Sequence, residues 1–203
     1  DADTKLGGTI SYDLDAETYR IEPLALDILM RGKNLPEGKT NIKTTAVVDI
    51  NLDEGTASIQ GLDLSGLGTK LTGDINATDI ESERPGANGK INVSGEDIAY
   101  IFKVLELPVA AQLSKVKDRK FSFDTAFDAN METGIVSMPT LNAKLLGATV
   151  DGKVNLEKAN TDKPSGAGSL NASGPDLPTL LALVGQLQGM DAGTLKSLNS
   201  ALS

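Results

Sequence analysis

The stretch Phe121–Glu157, FSFDTAFDANMETGIVSMPTLNAKLLGATVDGKVNLE, decides the fold. Apolar and polar residues alternate along it in three segments, separated by turns at Thr133-Gly134 and near Leu146-Gly147. A period of two is typical of β-strands that bury one face. The stretch therefore predicts an antiparallel β-meander with one apolar face.

A diverged copy of this pattern lies 79 positions earlier, from Ile42 to Thr78. The two copies align without a gap, and their identities fall on turns, caps and the apolar face. Examples are Asp49 and Asp128, Gly55 and Gly134, Leu62 and Leu141, Gly73 and Gly152, Pro85 and Pro164, and Asp97 and Asp176. A match that keeps its register over such a length indicates an internal duplication.

The chain is accordingly interpreted as one repeat-built domain, residues 1–203. Residues 1–41 form an N-terminal partial hairpin, residues 42–120 a first repeat and residues 121–203 a second repeat. Because the first unit is partial and the second stops short, we expect these residues to belong to a longer array.

Local signals predict the remaining strands and their connections. A first hairpin is predicted within residues 5–32, with strands at 9–14 and 19–28. A phase change in the apolar pattern predicts a β-bulge near Gln60-Gly61. Residues 79–89 are predicted to be a polar loop, with a tight turn at Asn88-Gly89.

Helices are predicted after the strands of each repeat. Ser94 is expected to cap the first helix, with Asp97 three residues on, and apolar residues then follow at helical spacing to Leu105. A second short helix is predicted at 109–117. The second repeat has corresponding helical patterns at 177–184 and 191–202.

The predicted fold class is therefore α+β and mainly β. It is a curved antiparallel β-sheet built from two tandem repeats of 79 residues, each a β-meander plus a helix pair, preceded by a partial hairpin.

Composition narrows the possible functions. The net charge is −9 and no run of Lys or Arg stands out, which disfavours nucleic acid and anionic membrane surfaces as partners. The chain contains no Cys and no His, so the commonest thiol nucleophile, general base and transition-metal ligands are absent. We expect no enzyme activity, no cofactor and no metal site.

Two motifs with chemical potential have simpler explanations. Ser114-Lys115-Val116-Lys117 fits the S-x-x-K spacing of penicillin-recognising hydrolases, but their companion motifs are missing and a basic helix surface explains it. Acidic residues at period two, such as Asp124 and Asp128, offer oxygen ligands for weak Ca²⁺ binding. They lack the glycine-turned loop of a dedicated site, so a solvated sheet face explains them.

The apolar face must be covered by the helices, by a second sheet or by a lipid-like ligand, since each exposed aliphatic side chain forgoes about 1.5–3 kcal/mol of burial. If a lipid covers it, the face is a groove. The candidate lining residues are Val48, Ile50, Leu52, Leu71, Ile75, Phe121, Phe123, Phe127, Val150, Val154 and Leu156. The alternative is that these same residues are core beneath the helices.

The segment from Gly95 to Glu157 resembles the AsmA family of bacterial envelope proteins. The resemblance consists of a capped helix, a Leu-Pro break, a strand opening on Phe, an x-Leu-x-x-Leu-x-Ala strand and a Gly-initiated strand. The matching residues are Asp97, Ile98, Ile101, Phe102, Leu107, Pro108, Phe121, Leu141, Ala143 and Gly147.

This resemblance implies a periplasmic segment of a protein anchored in the inner membrane by an N-terminal helix, in a family similar to bridge-like lipid transfer proteins. The implied function is non-enzymatic: a groove for lipid transport or for envelope and outer-membrane biogenesis. The implied partners are phospholipids or other acyl-chain lipids, neighbouring repeats and envelope proteins. A structural scaffold or protein-interaction module without lipid binding remains the alternative.

Overall fold

A computed structural model describes residues 1–33, 35, 38–104, 113 and 116–174. The elements in chain order are β1 (Ala2–Gly7), β2 (Ile10–Asp13), β3 (Thr18–Arg31), β4 (Lys39–Asn51), β5 (Thr56–Gly66), β6 (Thr69–Thr78), β7 (Gly86–Gly95), α1 (Ile98–Val104), β8 (Phe121–Asn130), β9 (Ile135–Leu145), β10 (Ala148–Glu157) and β11 (Ser165–Ser173).

The strands form one open antiparallel sheet of eleven strands. Its order is β1-β3-β4-β5-β6-β7-β8-β9-β10-β11, and β2 also pairs with β3 beside β1. Pairing of β7 with β8 joins the two halves of the chain into one continuous sheet. The predicted mainly-β, antiparallel architecture is confirmed, with α1 the one complete helix in the described ranges.

The strands of the second half start and stop in step with those of the first. Strand β5 covers Thr56–Gly66 and β9 covers Ile135–Leu145, 79 residues later at both ends. Strands β6 and β10 show the same offset. Asparagine side chains hold the two equivalent turns: Asn51 Oδ1 accepts from Glu54 N at 3.0 Å, and Asn130 Oδ1 accepts from Thr133 N at 2.9 Å.

Bulges interrupt the ladders at equivalent places. The register between β5 and β6 shifts between Ile59 and Leu62, and Gly61 there has a φ of 58°. The predicted bulge at Gln60-Gly61 is thus confirmed. Strand β9 has a corresponding shift near Met138 against β10. Bulges bend a strand and increase its local twist, so the two halves change direction at the same point.

The prediction of the first hairpin is correct but incomplete. Strands β2 and β3 form it as predicted, while β1 was not predicted and adds six more residues against the far half of β3. Strand β3 also runs on to Arg31, which makes it long enough to pair with both. Gly8 and Thr9 separate β1 from β2. The adjacent glycines Gly7 and Gly8 give a weak strand signal, which is why the sequence pattern does not reveal β1.

The predicted turn at Asn88-Gly89 is wrong, because both residues lie inside β7. A Cβ atom at Gly89 would overlap the carbonyl oxygen of Asp74 on β6. The glycine therefore permits close approach of two strands, which requires the same residue type as a tight turn. The polar loop ends at Pro85, earlier than predicted.

The predicted helix cap is also wrong. Ser94 lies in β7, and Asp97 is the cap: its Oδ1 accepts a hydrogen bond from Tyr100 N at 3.1 Å. The helix α1 begins at Ile98, and Leu105 lies outside the described residues. Most of the predicted helix at 109–117, and both helices of the second repeat, fall outside them as well.

A small core lies where α1 packs near the β9–β10 turn. Ala99, Leu113 and Leu146 are buried there. Around them pack four partly buried residues: Ile98, Phe102, Val116 and Leu145. This core occupies one end of the sheet, so the rest of the apolar face depends on other contacts.

Candidate functional site: the apolar face of the sheet

Directly paired residues of an antiparallel sheet lie on the same face, so the register identifies that face from strand to strand. One row of paired residues runs Leu71, Val93, Phe123, Ala143, Val150. A second row runs Val48, Ile59, Ile75, Gly89, Phe127. We name the side of the sheet that carries these rows the apolar face and the opposite side the polar face.

The apolar face extends across the whole sheet. Its rows continue through Ile21 of β3 to Ile10 of β2, and through Val150 of β10 to Ala172 of β11. Strand spacing of about 4.8 Å gives the ten consecutively paired strands a width of about 40 Å. The two halves therefore present one uninterrupted apolar surface.

Ten of the eleven predicted lining residues lie in strands on the apolar face. They are Val48, Ile50, Leu71, Ile75, Phe121, Phe123, Phe127, Val150, Val154 and Leu156. Leu52 is the exception, because β4 ends at Asn51 and Leu52 lies in the following turn, where its N–H donates to the Glu17 carbonyl at 3.0 Å. The alternation of apolar and polar residues continues through Leu52, but the strand itself ends one residue earlier.

All eleven of these side chains are half-buried, and none is fully buried. None of them belongs to the core cluster under α1. On the same face, Ala46 and Thr125 are buried at 5% and 6% exposure. The side chains of the apolar face therefore pack against their neighbours on the sheet, while the outer surface of the face stays accessible.

Small residues give the aromatic rings room on this face. The Phe121 ring lies over Gly95, where a Cβ atom would overlap it, and the Phe127 ring lies against Gly89. Both glycines belong to β7, the strand paired with β8. The rings thus cover exposed backbone of the next strand, which raises the apolar content of the surface.

The buried hydroxyl group of Thr125 on this face makes its hydrogen bond within the sheet. Thr125 lies opposite Ile91 and Leu141. Its Oγ1 donates to the Thr140 carbonyl at 2.8 Å, so the hydroxyl proton is satisfied within the sheet. A satisfied buried hydroxyl adds little polarity to the surface.

The polar face carries the charges. Arg20 bridges to Asp49 and Glu22 at 2.7 Å each, and these carboxylates raise the pKa of Arg20, with Glu22 the larger cause. Asp124 and Asp128 are exposed on this side. Across the described ranges, no group of three acidic side chains is placed to hold a metal ion.

Several residues of the apolar face were missed by the pattern of single strands. Leu64 pairs with Leu71, Val93 with Phe123, and Leu141 with Gly152. The signal that identifies them is cross-strand pairing: each lies opposite a residue that already belongs to the face. A bulge in β5 and the unexpected length of β7 concealed that register.

A cleft, separate from the apolar face, lies at the end of the strands. A cleft of about 730 Å³ is bounded by the β5–β6 turn, the β9–β10 turn and the segment before β8. Lys70, Lys120 and Lys144 line it, and two of them pair with acids, Lys70 with Asp63 and Lys120 with Glu96. The Glu96 hydrogen bond raises the pKa of Lys120. Because positive and negative side chains both line the cleft, it does not strongly favour an anionic or a cationic ligand.

Comparison with other proteins adds no assignment. A scan of protein-family models and searches of curated proteins and solved structures found no match to this chain. Within the described residues, no helix has the length and apolarity needed to cross a membrane.

Proposed function

We propose that this chain is a segment of an AsmA-like envelope protein whose apolar face forms part of a groove for lipid acyl chains. The proposed role is non-enzymatic. Acyl chains lie along the apolar face while headgroups stay in water, and the protein contributes desolvation without bond chemistry. Phospholipids or other acyl-chain lipids are the proposed ligands.

One observation carries this proposal: the apolar face is continuous over the sheet and remains accessible. Rows of Val, Ile, Leu and Phe pass from strand to strand, and the candidate lining residues are half-buried. The described core covers only the end near the β9–β10 turn. A face of this extent on a protein in water marks an interaction surface.

The energetics favour an aliphatic ligand. Each methylene moved from water onto an apolar surface contributes up to about 0.8 kcal/mol. From β7 to β11 the only hydrogen-bonding side chain on the face is Thr125, so a polar ligand there would lose its water contacts without replacement. An acyl chain has no such contacts to lose.

We also propose that the sheet consists of two tandem repeats, each followed by a helix pair. The equal offsets of β5 to β9 and β6 to β10 support the duplication. So does a pair of close contacts: a Cβ at Gly73 would overlap the Lys90 carbonyl oxygen, and a Cβ at Gly152 would overlap that of Ser169, 79 positions on. The presence of α1 supports the first helix proposed for the first repeat.

The proposed location is the periplasm, with the intact protein anchored to the inner membrane. Its support is the resemblance of the capped helix and the Phe121 strand to the AsmA pattern. An envelope location provides the lipid that the apolar face would bind, which makes the two proposals consistent with each other.

Lipid extraction with a matched pair of variants tests the function. The protein is purified from bacterial cells without detergent and its mass is measured by native mass spectrometry. We expect adducts with the mass of phospholipid, which Ile75→Gln on the apolar face weakens and Asn76→Gln on the polar face leaves unchanged. Circular dichroism establishes that both variants fold. Folded wild-type protein with no lipid, after incubation with phospholipid vesicles as well, would contradict the proposal.

The alternative is a scaffold that binds protein and no lipid. The observation favouring it is the exposure of apolar side chains at the edges of the sheet, including Leu6 at 72%, Ile10 at 65% and Leu170 at 60%. Under this function, substitutions on the apolar face destabilise the fold without changing any lipid signal.

A further inference from the structure

The two ends of the strands carry opposite charge. At one end lie the connections β3–β4, β5–β6, β7–β8 and β9–β10, and we name this end the basic rim. At the other end lie the connections β2–β3, β4–β5, β6–β7, β8–β9 and β10–β11, and we name it the acidic rim. Each rim consists of its connections and the two strand residues on either side of each connection.

The described part of the basic rim has an excess of basic residues. The nine basic residues are Arg31, Lys33, Lys39, Lys70, Lys103, Lys117, Arg119, Lys120 and Lys144, and the three acidic residues are Glu96, Asp97 and Asp118. Asp3 of β1 also lies at this end, where it pairs with Arg31 at 2.7 Å. In the sequence, the undescribed parts of these connections add only Glu37, Glu106 and Lys115, so the basic excess remains.

The acidic rim has the opposite excess, and all five of its connections lie in the described ranges. Its eleven acidic residues are Asp13, Asp15, Glu17, Asp53, Glu54, Asp79, Glu81, Glu83, Glu132, Glu157 and Asp162, and its three basic residues are Arg84, Lys158 and Lys163. Strands of ten residues, such as β7 and β8, separate the rims by about 30 Å. This distance is several Debye lengths at physiological ionic strength, so each rim acts only on charges close to it.

The basic rim also contains the cleft at the end of the strands. Four directly paired residues of neighbouring strands line this cleft: Lys70, Ser94, Ser122 and Lys144. Ammonium and hydroxyl groups both donate hydrogen bonds to phosphate oxygens. Phe121 borders the cleft and belongs to the apolar face, so the cleft and the apolar face meet at the strand ends.

The acidic side chains of the cleft are compatible with a phospholipid headgroup. Lys70 pairs with Asp63 at 2.9 Å and Lys120 with Glu96 at 2.8 Å, and all four side chains are exposed. Exposed ion pairs are weak, so these lysines are available to a phosphate. An ethanolamine headgroup carries an ammonium group beside its phosphate, which gives Glu96 a partner as well. The mixed charge of the cleft therefore suits a zwitterionic headgroup.

We infer that the phosphate of a bound zwitterionic phospholipid lies at the basic rim, in the cleft beside Lys144, and that its acyl chains run from there along the apolar face toward the acidic rim. This inference rests on the proposed lipid function and adds a headgroup class and a direction to it. The rims consist of connections between strands, so a further strand beside β11 would widen the sheet and leave these connections in place.

The distance of the phosphate from each rim tests the direction. The chain has no native cysteine, so a single nitroxide label is attached through Ser65→Cys on the basic rim or Thr133→Cys on the acidic rim. Each labelled protein is loaded from phosphatidylethanolamine vesicles and separated from them, and the ³¹P relaxation of the bound lipid is measured. The Ser65 label is expected to enhance this relaxation at least fivefold more than the Thr133 label. Equal enhancement, or a larger one from Thr133, would overturn the inference.

A charge series at Lys144 provides a second measurement. Lys144→Glu is expected to lower the amount of phosphatidylethanolamine retained at least threefold, and Lys144→Arg is expected to retain it. Lys163→Glu is the matched change on the acidic rim and is expected to have no effect. Circular dichroism establishes that the variants fold. Equal losses for Lys144→Glu and Lys163→Glu, or no loss for either, would overturn the inference.

The outcomes distinguish this inference from the function on which it rests. Folded protein that takes up no phospholipid would contradict the lipid function and the inference together. Lipid binding that is weakened by Ile75→Gln and insensitive to Lys144→Glu would support the lipid function and overturn the headgroup position. Excess inorganic phosphate is expected to leave the lipid bound, because the acyl chains hold it on the apolar face. Displacement of the lipid by inorganic phosphate would indicate a site for free phosphate and overturn the inference.

Discussion

The β5–β6 turn and the β9–β10 turn have the same backbone and different surroundings. Both use a Leu-Gly pair in the left-handed region: Leu67 and Gly68 have φ of 54° and 70°, and Leu146 and Gly147 have 54° and 76°. Leu146 is fully buried with Ala99 and Leu113, whereas Leu67 is half-buried and outside that cluster.

This difference separates two levels of structure. The turn conformation follows from local residues, since glycine tolerates a positive φ and follows leucine in both turns. Burial follows from what packs over the turn, which here is α1 together with Leu113 and Val116. Matching local sequences therefore reproduce backbone geometry more faithfully than they reproduce a core.

The largest predicted effect distinguishes the two leucines. Leu146→Ala removes a fully buried side chain and is expected to lower the free energy of unfolding by about 2–5 kcal/mol. Leu67→Ala at the equivalent turn is expected to cost about 1 kcal/mol or less. Urea denaturation followed by circular dichroism measures both. Equal losses would mean that the turns have equivalent surroundings.

A second prediction compares the close strand contacts of the two halves. Gly89→Ala forces a Cβ atom against the Asp74 carbonyl oxygen and is expected to lower stability by about 1–3 kcal/mol. Gly168→Ala makes the equivalent contact with the Lys153 carbonyl oxygen. Its cost is expected to be smaller, because every residue of β11 is exposed whereas most of β7 is half-buried, so packing constrains β11 less.

Gly7→Ala is the control for both glycine variants, because no heavy atom lies within 4 Å of the added Cβ. Thermal unfolding ranks the three. A larger loss at Gly168 than at Gly89 would contradict the expectation that packing constrains β11 less than β7.

A third prediction concerns α1, which packs near the β9–β10 turn and not near the β5–β6 turn. Asp97 caps α1 through Tyr100 N and also bridges to Arg119 at 3.0 Å. Asp97→Ala is expected to cost about 1 kcal/mol, and Asp97→Asn less, because asparagine still caps a helix.

The cap and the buried leucine belong to one packed unit, so their effects are expected to be coupled. The Asp97→Ala and Leu146→Ala double variant should lose less stability than the sum of the single variants. Strict additivity in the double-mutant cycle would show that the cap does not position the helix over Leu146.

The smallest effect is predicted at Tyr100, on the same helix. Its buried hydroxyl has no hydrogen-bond partner among the described residues, and burial raises the pKa of Tyr100. Tyr100→Phe is therefore expected to be neutral or slightly stabilising near pH 7.

The sign of the pH dependence follows from the raised pKa. The folded protein holds the phenolic proton more tightly than the unfolded chain, so the contribution is complete below about pH 10 and is lost as the pH rises further. Unfolding curves from pH 8 to 11 should fall less steeply for Tyr100→Phe than for the wild type. Parallel curves would contradict the burial of the hydroxyl.

The sequence predicted those features that depend on local chemistry. Alternation identified β4 to β6 and β8 to β10, and the phase change at Gln60-Gly61 identified a bulge. Ten of eleven proposed lining residues lie on one face, because period two leaves only two choices of side once the bulge is recognised.

Features that depend on distant contacts were missed. Asn88-Gly89 has the composition of a turn, but its glycine serves the approach of β6 to β7. Ser94 has the composition of a cap, but pairing with β6 keeps it in a strand and transfers the cap to Asp97. The extent of cover over the apolar face is of the same kind, since it depends on tertiary packing and not on periodicity.

The most direct test of the proposed lipid groove is photo-crosslinking at two adjacent residues of β8. A benzoyl-phenylalanine replaces Phe127 on the apolar face or Asp128 on the polar face, and the protein is irradiated in living bacteria. The groove predicts lipid adducts by mass spectrometry at position 127 and none at position 128. Adducts at neither position, or equally at both, from folded protein would contradict it.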